Sequence, residues 1–197
     1  MEYYYVIKNK KTEIDSKLDT FNMPFKSISE LKLPDTLKVL KCKINNLTQL
    51  EVPSNCEFLD CSQNKISEIE LPESCKTIDV SQNKIKTLLL PKNADTIKCS
   101  SNNIEKLIIP QNCKYLDCRK NKIKELFIPD NVIDIHCSTN KLTRLETSKA
   151  CLFLDCSKNN IEELIIHSNQ ITHINCSDNN IKQLVVPNSC GRLNCTG

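Results

Sequence analysis

The sequence of 197 residues contains no tryptophan and only two glycines, Gly191 and Gly197. Loops that bind phosphates or dinucleotides need glycine so that the backbone can approach the ligand closely. No apolar run reaches the ~20 residues of a membrane-spanning helix, and the N-terminus lacks the apolar segment of a signal peptide. The formal net charge of +3 is too small by itself to predict nucleic-acid binding. We therefore expect no cofactor, no nucleic acid and no membrane among its ligands.

What the sequence does have is a repeat of about 19 residues. The spacing is marked by Pro34, Pro53, Pro72, Pro91, Pro110 and Pro129, is kept by Ser148 and His167, and ends on Pro187 after one inserted residue. A fixed period near 20 residues is typical of a solenoid of stacked coils. In the coil LDCRKNKIKELFIP, residues 116–129, apolar positions alternate both around Leu116 and around Leu126. This alternation predicts a repeat solenoid, mainly β, with two short parallel β ladders and little helix.

An asparagine recurs in register in every coil, where its side chain can bond the backbone of a turn. The column consists of Asn45, Asn64, Asn83, Asn102, Asn121, Asn140, Asn159 and Asn179. The frame resembles the leucine-rich-repeat family, L-x-x-L-x-L-x-x-N-x-L, in the short variety known from bacterial effectors and from giant-virus and protist proteins. The resemblance implies a scaffold for host-directed or ubiquitin-linked protein recognition, acting in the host cytoplasm.

The two ends of the chain depart from the frame. We expect residues 1–22 to cap the first coil, with YYYVI as a strand and TEIDSKLDTF as a short helix. Residues 23–197 should form a solenoid of about eight to nine coils, without an obvious C-terminal cap. The last coil would then present an open edge, and an open strand edge is a template for pairing.

All 13 cysteines fall on two positions of the repeat. The inward strand position holds Cys42, Cys61, Cys99, Cys118, Cys137, Cys156, Cys176 and Cys195, and the position three residues after the proline holds Cys56, Cys75, Cys113, Cys151 and Cys190. Val80, Ala94 and Val132 fill the gaps, which favours buried packing sites over the rival explanations, metal ligands and disulfides. No C-x-x-C pair is present, so we expect no metal site. Unpaired thiols without a signal peptide favour the cytoplasm.

Functional residues should lie on outward positions, because the inward ones are filled by the core. On the first predicted ladder these positions form a patch of aromatic, acidic and histidine side chains. The patch consists of Phe58, Tyr115, Asp117, Asp134, His136, Phe153, Asp155 and His173. Such a mixture suits a protein-binding hot spot, although an ordinary solvated sheet face is the alternative. The neighbouring carboxylates Asp117 and Asp155 are expected to raise the pKa of His136.

The second predicted ladder carries three adjacent apolar side chains, Leu89, Ile108 and Phe127, in an outward column that holds Glu51, Glu70 and Glu146 elsewhere. A contiguous apolar patch indicates a second interface, unless the chain's own termini cover it. No nucleophile, base and cofactor site come together in the sequence. We therefore predict a non-enzymatic scaffold that binds a protein partner through its sheet faces. The alternative is a self-assembling component that associates through this column and the open last coil.

Overall fold

Short strands recur along the chain because each coil places an apolar residue between two outward ones at the same point. The computed structural model describes residues 2–197. The strands are β1 (Tyr4–Ile7), β2 (Lys10–Glu13), β3 (Thr20–Asn22), β4 (Ile28–Lys32), β5 (Val39–Lys41), β6 (Phe58–Asp60), β7 (Thr77–Asp79), β8 (Thr96–Lys98), β9 (Tyr115–Asp117), β10 (Asp134–His136), β11 (Arg144–Glu146), β12 (Phe153–Asp155), β13 (Glu163–Ile165), β14 (His173–Asn175) and β15 (Arg192–Asn194). The predicted repeat solenoid, mainly β, is confirmed, and residues 2–197 contain no helix.

Ten strands pair in the order β3-β5-β6-β7-β8-β9-β10-β12-β14-β15, and every neighbouring pair in this ladder is parallel and in register. The middle residue of each strand points into the core: Leu116 lies opposite Ile135, which lies opposite Leu154, and all three are fully buried. The first and third residues point outward. The ladder thus has two columns of outward side chains, and together they make the sheet face.

Each coil bends inward after the strand through a left-handed residue directly before the repeated asparagine. These residues are Ile44, Gln63, Gln82, Ser101, Lys120, Thr139, Lys158 and Asp178, with φ between 53° and 58°. The asparagine side chain bonds the backbone of the bend, as predicted. In Asn83, Oδ1 accepts from the Ile66 N–H at 3.0 Å. Its Nδ2 donates to the carbonyls of Cys61 and Val80, both at 3.1 Å. Each asparagine therefore ties its own coil to the preceding one.

The second side of the coils is less regular than predicted. Among residues 2–197, strands of successive coils pair on this side only as β11 with β13, in the two coils where Ser148 and His167 replace proline. The N–H of His167 donates to Thr147 Oγ1 at 3.0 Å, a bond that proline cannot make. Proline also restricts the residue before it to an extended backbone conformation, which can occur without a paired strand. The predicted second ladder is therefore wrong for the proline-containing coils.

The N-terminal segment forms a hairpin that contains the predicted strand but not the predicted helix. The strand predicted over YYYVI is confirmed as β1, which pairs with β2 and with β4, both antiparallel. The helix predicted over TEIDSKLDTF is wrong, because Asp15 Oδ1 accepts from the Lys17 N–H at 2.9 Å and turns the chain. Thr20–Asn22 then joins the long ladder as β3. The hairpin supplies backbone partners to the second side of the first coil.

The cysteines fill the core as predicted. Eleven of the 13 are buried, Cys190 is half-buried and Cys195 is exposed on the last coil. Burial raises the pKa of Cys113 and of Cys151 to about 12, so these thiols are uncharged at neutral pH. Cys113 Sγ also donates to the carbonyl of Tyr115 at 3.4 Å, just beneath the sheet face. The thiols are thus small core groups that support the strands above them.

Candidate functional site

Four consecutive strands of the sheet face bring together most of the residues predicted for partner binding. Strands β9, β10 and β12 each carry one ring and one carboxylate, two residues apart, and β14 carries a fourth ring. The pairs are Tyr115 with Asp117, His136 with Asp134, and Phe153 with Asp155, and the fourth ring is His173. The order of ring and carboxylate is reversed on β10, so rings and carboxylates alternate between the two outward columns.

The four rings form a continuous row, here called the ring stack. The centroids of Tyr115 and His136 are 5.4 Å apart, those of His136 and Phe153 are 4.7 Å apart, and those of Phe153 and His173 are 6.0 Å apart. These separations fall in the range of favourable aromatic pairs. His173 is exposed and the other three rings are half-buried, so the ring stack offers a continuous aromatic surface across four coils.

The three carboxylates have different surroundings. Asp117 is only 5% exposed, because Arg119 covers it and donates from Nε and Nη2 at 2.9 and 2.8 Å. Burial would raise the pKa of Asp117, but the hydrogen bonds and charge of Arg119 outweigh burial and lower that pKa. Asp155 accepts from Ser157 Oγ at 2.7 Å. Asp134 accepts no side-chain hydrogen bond and neither it nor Asp155 forms an ion pair within residues 2–197.

The predicted rise in the pKa of His136 is wrong, because the pKa is lowered. Burial of the half-exposed ring is the largest cause, and the positive charge of Arg119 adds to it. The carboxylates of Asp117, Asp155 and Asp134 act in the opposite direction but do not prevail. At neutral pH the imidazole is therefore uncharged, and it serves the ring stack as an aromatic group.

Phe58 does not join the ring stack. It lies on β6, and strands β7 and β8, with Thr77 and Thr96 at the same position, separate it from Tyr115. Its ring is instead approached by Lys41, whose Nζ lies 5.1 Å from the ring centroid. The predicted patch therefore divides into an isolated Phe58 and a continuous group on β9–β14.

The apolar column on the second side is open to solvent. Leu89, Ile108 and Phe127 are 77%, 70% and 83% exposed, so nothing within residues 2–197 covers them. Grooves of about 520 and 460 Å³ flank Phe127 on its two sides. Val185, farther along the same column, is 86% exposed. These side chains are positioned for contact with another surface, although they stand apart from the ring stack.

The contacts of two groups of charged residues were not predicted from the sequence. One is Arg119, whose contact with Asp117 is signalled by an arginine two residues after the aspartate, where most other coils have serine. The other is a surface network in which Arg144 Nη2 and His167 Nε2 both lie 2.8 Å from the carboxylate of Glu146. This network replaces the proline-bounded turn of the other coils, so it follows from the loss of the proline at positions 148 and 167.

Solved structures with the same architecture identify the class of protein. YopM from Yersinia enterocolitica WA-314 is 27% identical and superposes with a TM-score of 0.87, covering 92% of this chain and 42% of its own. The functional domain of InlJ from Listeria monocytogenes, which includes a cysteine ladder, is 24% identical with a TM-score of 0.68, covering 86% of this chain and 46% of its own. The chain thus spans less than half the length of either structure. The chain has the leucine-rich-repeat fold of these structures.

Comparisons of other kinds add no further relatives. A scan against models of known protein families gives no match, and neither does a search of curated proteins. Within residues 2–197, no helix is long and apolar enough to cross a membrane. No group of three or more histidine, cysteine or acidic side chains in the same range is arranged to hold a metal ion.

Proposed function

We propose that this protein is a non-enzymatic scaffold that binds another protein through the ring stack and the carboxylates beside it. The observation that carries the proposal is the continuous contact of Tyr115, His136, Phe153 and His173 across four coils. Aromatic side chains in the centre of an interface contribute much of its binding energy. Because these rings already rest on one another and on a hydrogen-bonded ladder, a partner would not need to order them.

The family supports the same function. Leucine-rich repeats and other solenoids present extended surfaces that serve for binding. The short variety of the repeat is known from bacterial effectors, which favours a host-directed role in the cytoplasm of a host cell. The eleven buried cysteines form no disulfide, which suits a reducing compartment.

Capture of partners from reducing cytosol, followed by mass spectrometry, tests the proposal. His136→Ala and Phe153→Ser each remove a ring from the middle of the ring stack. His167→Ala removes an exposed histidine from the opposite side and is the matched control. We expect a protein that is retained by the wild type and by His167→Ala but lost from both ring variants. Recovery of the same proteins by all four would contradict binding through this face.

A second function, self-association, is favoured by the exposure of Leu89, Ile108 and Phe127 in adjacent coils. Such a contiguous apolar surface is typical of an interface. Its test is the molar mass in solution as a function of concentration, for the wild type, Phe127→Asp and the control Asn169→Asp, which adds the same charge at an exposed position outside the column. We expect the mass to rise with concentration in the wild type and the control, but not in Phe127→Asp. A constant monomer mass in the wild type would remove this function.

A further inference from the structure

Several rings and carboxylates of the sheet face already have a cation from the same chain. Lys41 Nζ lies 5.1 Å from the Phe58 ring centroid, and Lys98 Nζ lies 5.6 Å from that of Tyr115. Arg119 holds Asp117 through two hydrogen bonds. Cations are attracted to the negative face of an aromatic ring and form strong hydrogen bonds to carboxylates. The face therefore offers groups that attract cations, and at these positions the chain supplies the cation itself.

Strands β10 and β12 have no such cation contact within residues 2–197. Neither Asp134 nor Asp155 forms an ion pair within residues 2–197, and no lysine or arginine of that range lies over the Phe153 ring. The one ring between these carboxylates that could carry a charge, His136, is uncharged at neutral pH. These two strands thus combine two carboxylates that lack an ion-pair partner with half-exposed rings.

The register of the two strands arranges these groups as a square. Asp134 lies opposite Phe153, and His136 lies opposite Asp155. The two rings therefore occupy one diagonal, with centroids 4.7 Å apart, and the two carboxylates occupy the other. A flat cationic group placed over the rings would have an acceptor on either side.

We propose that this square on β10 and β12 binds an arginine side chain of the protein partner, with the guanidinium over the rings of His136 and Phe153 and its N–H groups donating to Asp134 and Asp155. The inference rests on the proposed function and names the chemistry of the partner. Arginine fits better than lysine, because its planar group both stacks on rings and offers several donors in one plane. Nucleic-acid phosphates would be repelled by the same carboxylates.

The test uses a short probe peptide, acetyl-Gly-Ala-Arg-Ala-Gly-amide, and the same peptide with citrulline, which is neutral and nearly isosteric, in place of arginine. Binding to the full chain is followed by chemical-shift changes of backbone amides. The variant Asp134→Asn/Asp155→Asn removes both charges. It should fold normally, because Asn175 takes the place of Asp155 in the next coil and accepts from Ser177 Oγ at 2.9 Å. The control Glu68→Gln/Glu105→Gln makes the same change in net charge at exposed positions off the face.

We expect the arginine peptide to shift the amides of β10 and β12, and to bind about tenfold more weakly to the double asparagine variant but equally well to the control. The citrulline peptide should bind about as weakly as the arginine peptide binds that variant. Equal binding of both peptides to the wild type, or shifts outside β9–β14, would overturn the inference. A partner captured through the ring stack whose binding is unaffected by Asp134→Asn/Asp155→Asn would also overturn it, while leaving the proposed function intact.

Discussion

The asparagine column makes the sharpest prediction about stability, and Asn83 is the best place to test it. Its Oδ1 accepts from the N–H of Ile66 at 3.0 Å, and its Nδ2 donates to the carbonyls of Cys61, Val80 and Ser81 at 3.1, 3.1 and 3.3 Å. The side chain is 9% exposed and Ile66 is fully buried, so water cannot readily replace these bonds. The change Asn83→Ala removes all of them at once.

The size of the effect follows from the partners that are left behind. A buried N–H without an acceptor costs ~1–3 kcal/mol, and each ordinary hydrogen bond contributes ~0.5–1.5 kcal/mol. With one orphaned donor and two or three weakened carbonyls, Asn83→Ala should lower the free energy of unfolding by about 3–5 kcal/mol. Asn83→Asp keeps the acceptor but points a second oxygen at three carbonyls, so we expect it to be no milder.

Urea unfolding followed by circular dichroism measures this free energy, and amide hydrogen exchange shows where it is lost. The control is Asn169→Ala, because Asn169 is exposed and its side chain makes no hydrogen bond within residues 2–197; it should change stability by less than about 0.5 kcal/mol. Exchange should accelerate first in the coils joined by Asn83, since stability in solenoids depends on nearest-neighbour interfaces. A loss below about 1 kcal/mol for Asn83→Ala would refute the role of the column.

Three further predictions concern the core, the ring stack and the turns. A thiol reagent should label Cys195 and Cys190 in the native protein and the other cysteines only after denaturant is added; rapid labelling of most would contradict the packing of the core. Folding lowers the pKa of His136, so the unfolded chain binds the proton more tightly and the free energy of unfolding should fall as pH drops below about 6.5. His136→Gln should weaken this decline in urea titrations. An unchanged decline would contradict the lowered pKa of His136. Thr139 is exposed with φ 58°, and Thr139→Asn should raise the free energy of unfolding by ~0.5–1 kcal/mol, because asparagine tolerates that conformation better; no gain would contradict strain there.

The fold could be predicted from the sequence where one residue type does the same task in every coil. The asparagine column and the cysteine columns fix the period, and the middle residue of each strand fixes the facing of the first ladder. The second ladder could not be predicted from alternation alone. Leu126 and Ile128 alternate as strand residues do. Pro129, however, has no backbone N–H to donate and restricts the backbone conformation of Ile128, and these local effects prevent strand pairing.

The candidate site was predictable in its composition but not in its contacts. The register of the strands is enough to bring Tyr115, Asp134 and Phe153 side by side. Whether rings from different columns touch depends on side-chain conformations, which no spacing reveals. The pKa of His136 was predicted with the wrong sign, because counting nearby carboxylates ignores burial and the charge of Arg119.

The most direct test of binding through the ring stack is photo-crosslinking in reducing cytosol. The photoreactive analogue p-benzoylphenylalanine replaces Phe153 in one sample and Phe127 in another, so that each large aromatic is exchanged for another. Binding through the sheet face predicts a covalent adduct with a different protein from position 153 and none with that protein from position 127. Adducts from position 127 alone, consisting of two copies of this chain, would contradict it and make self-association the function of the exposed column.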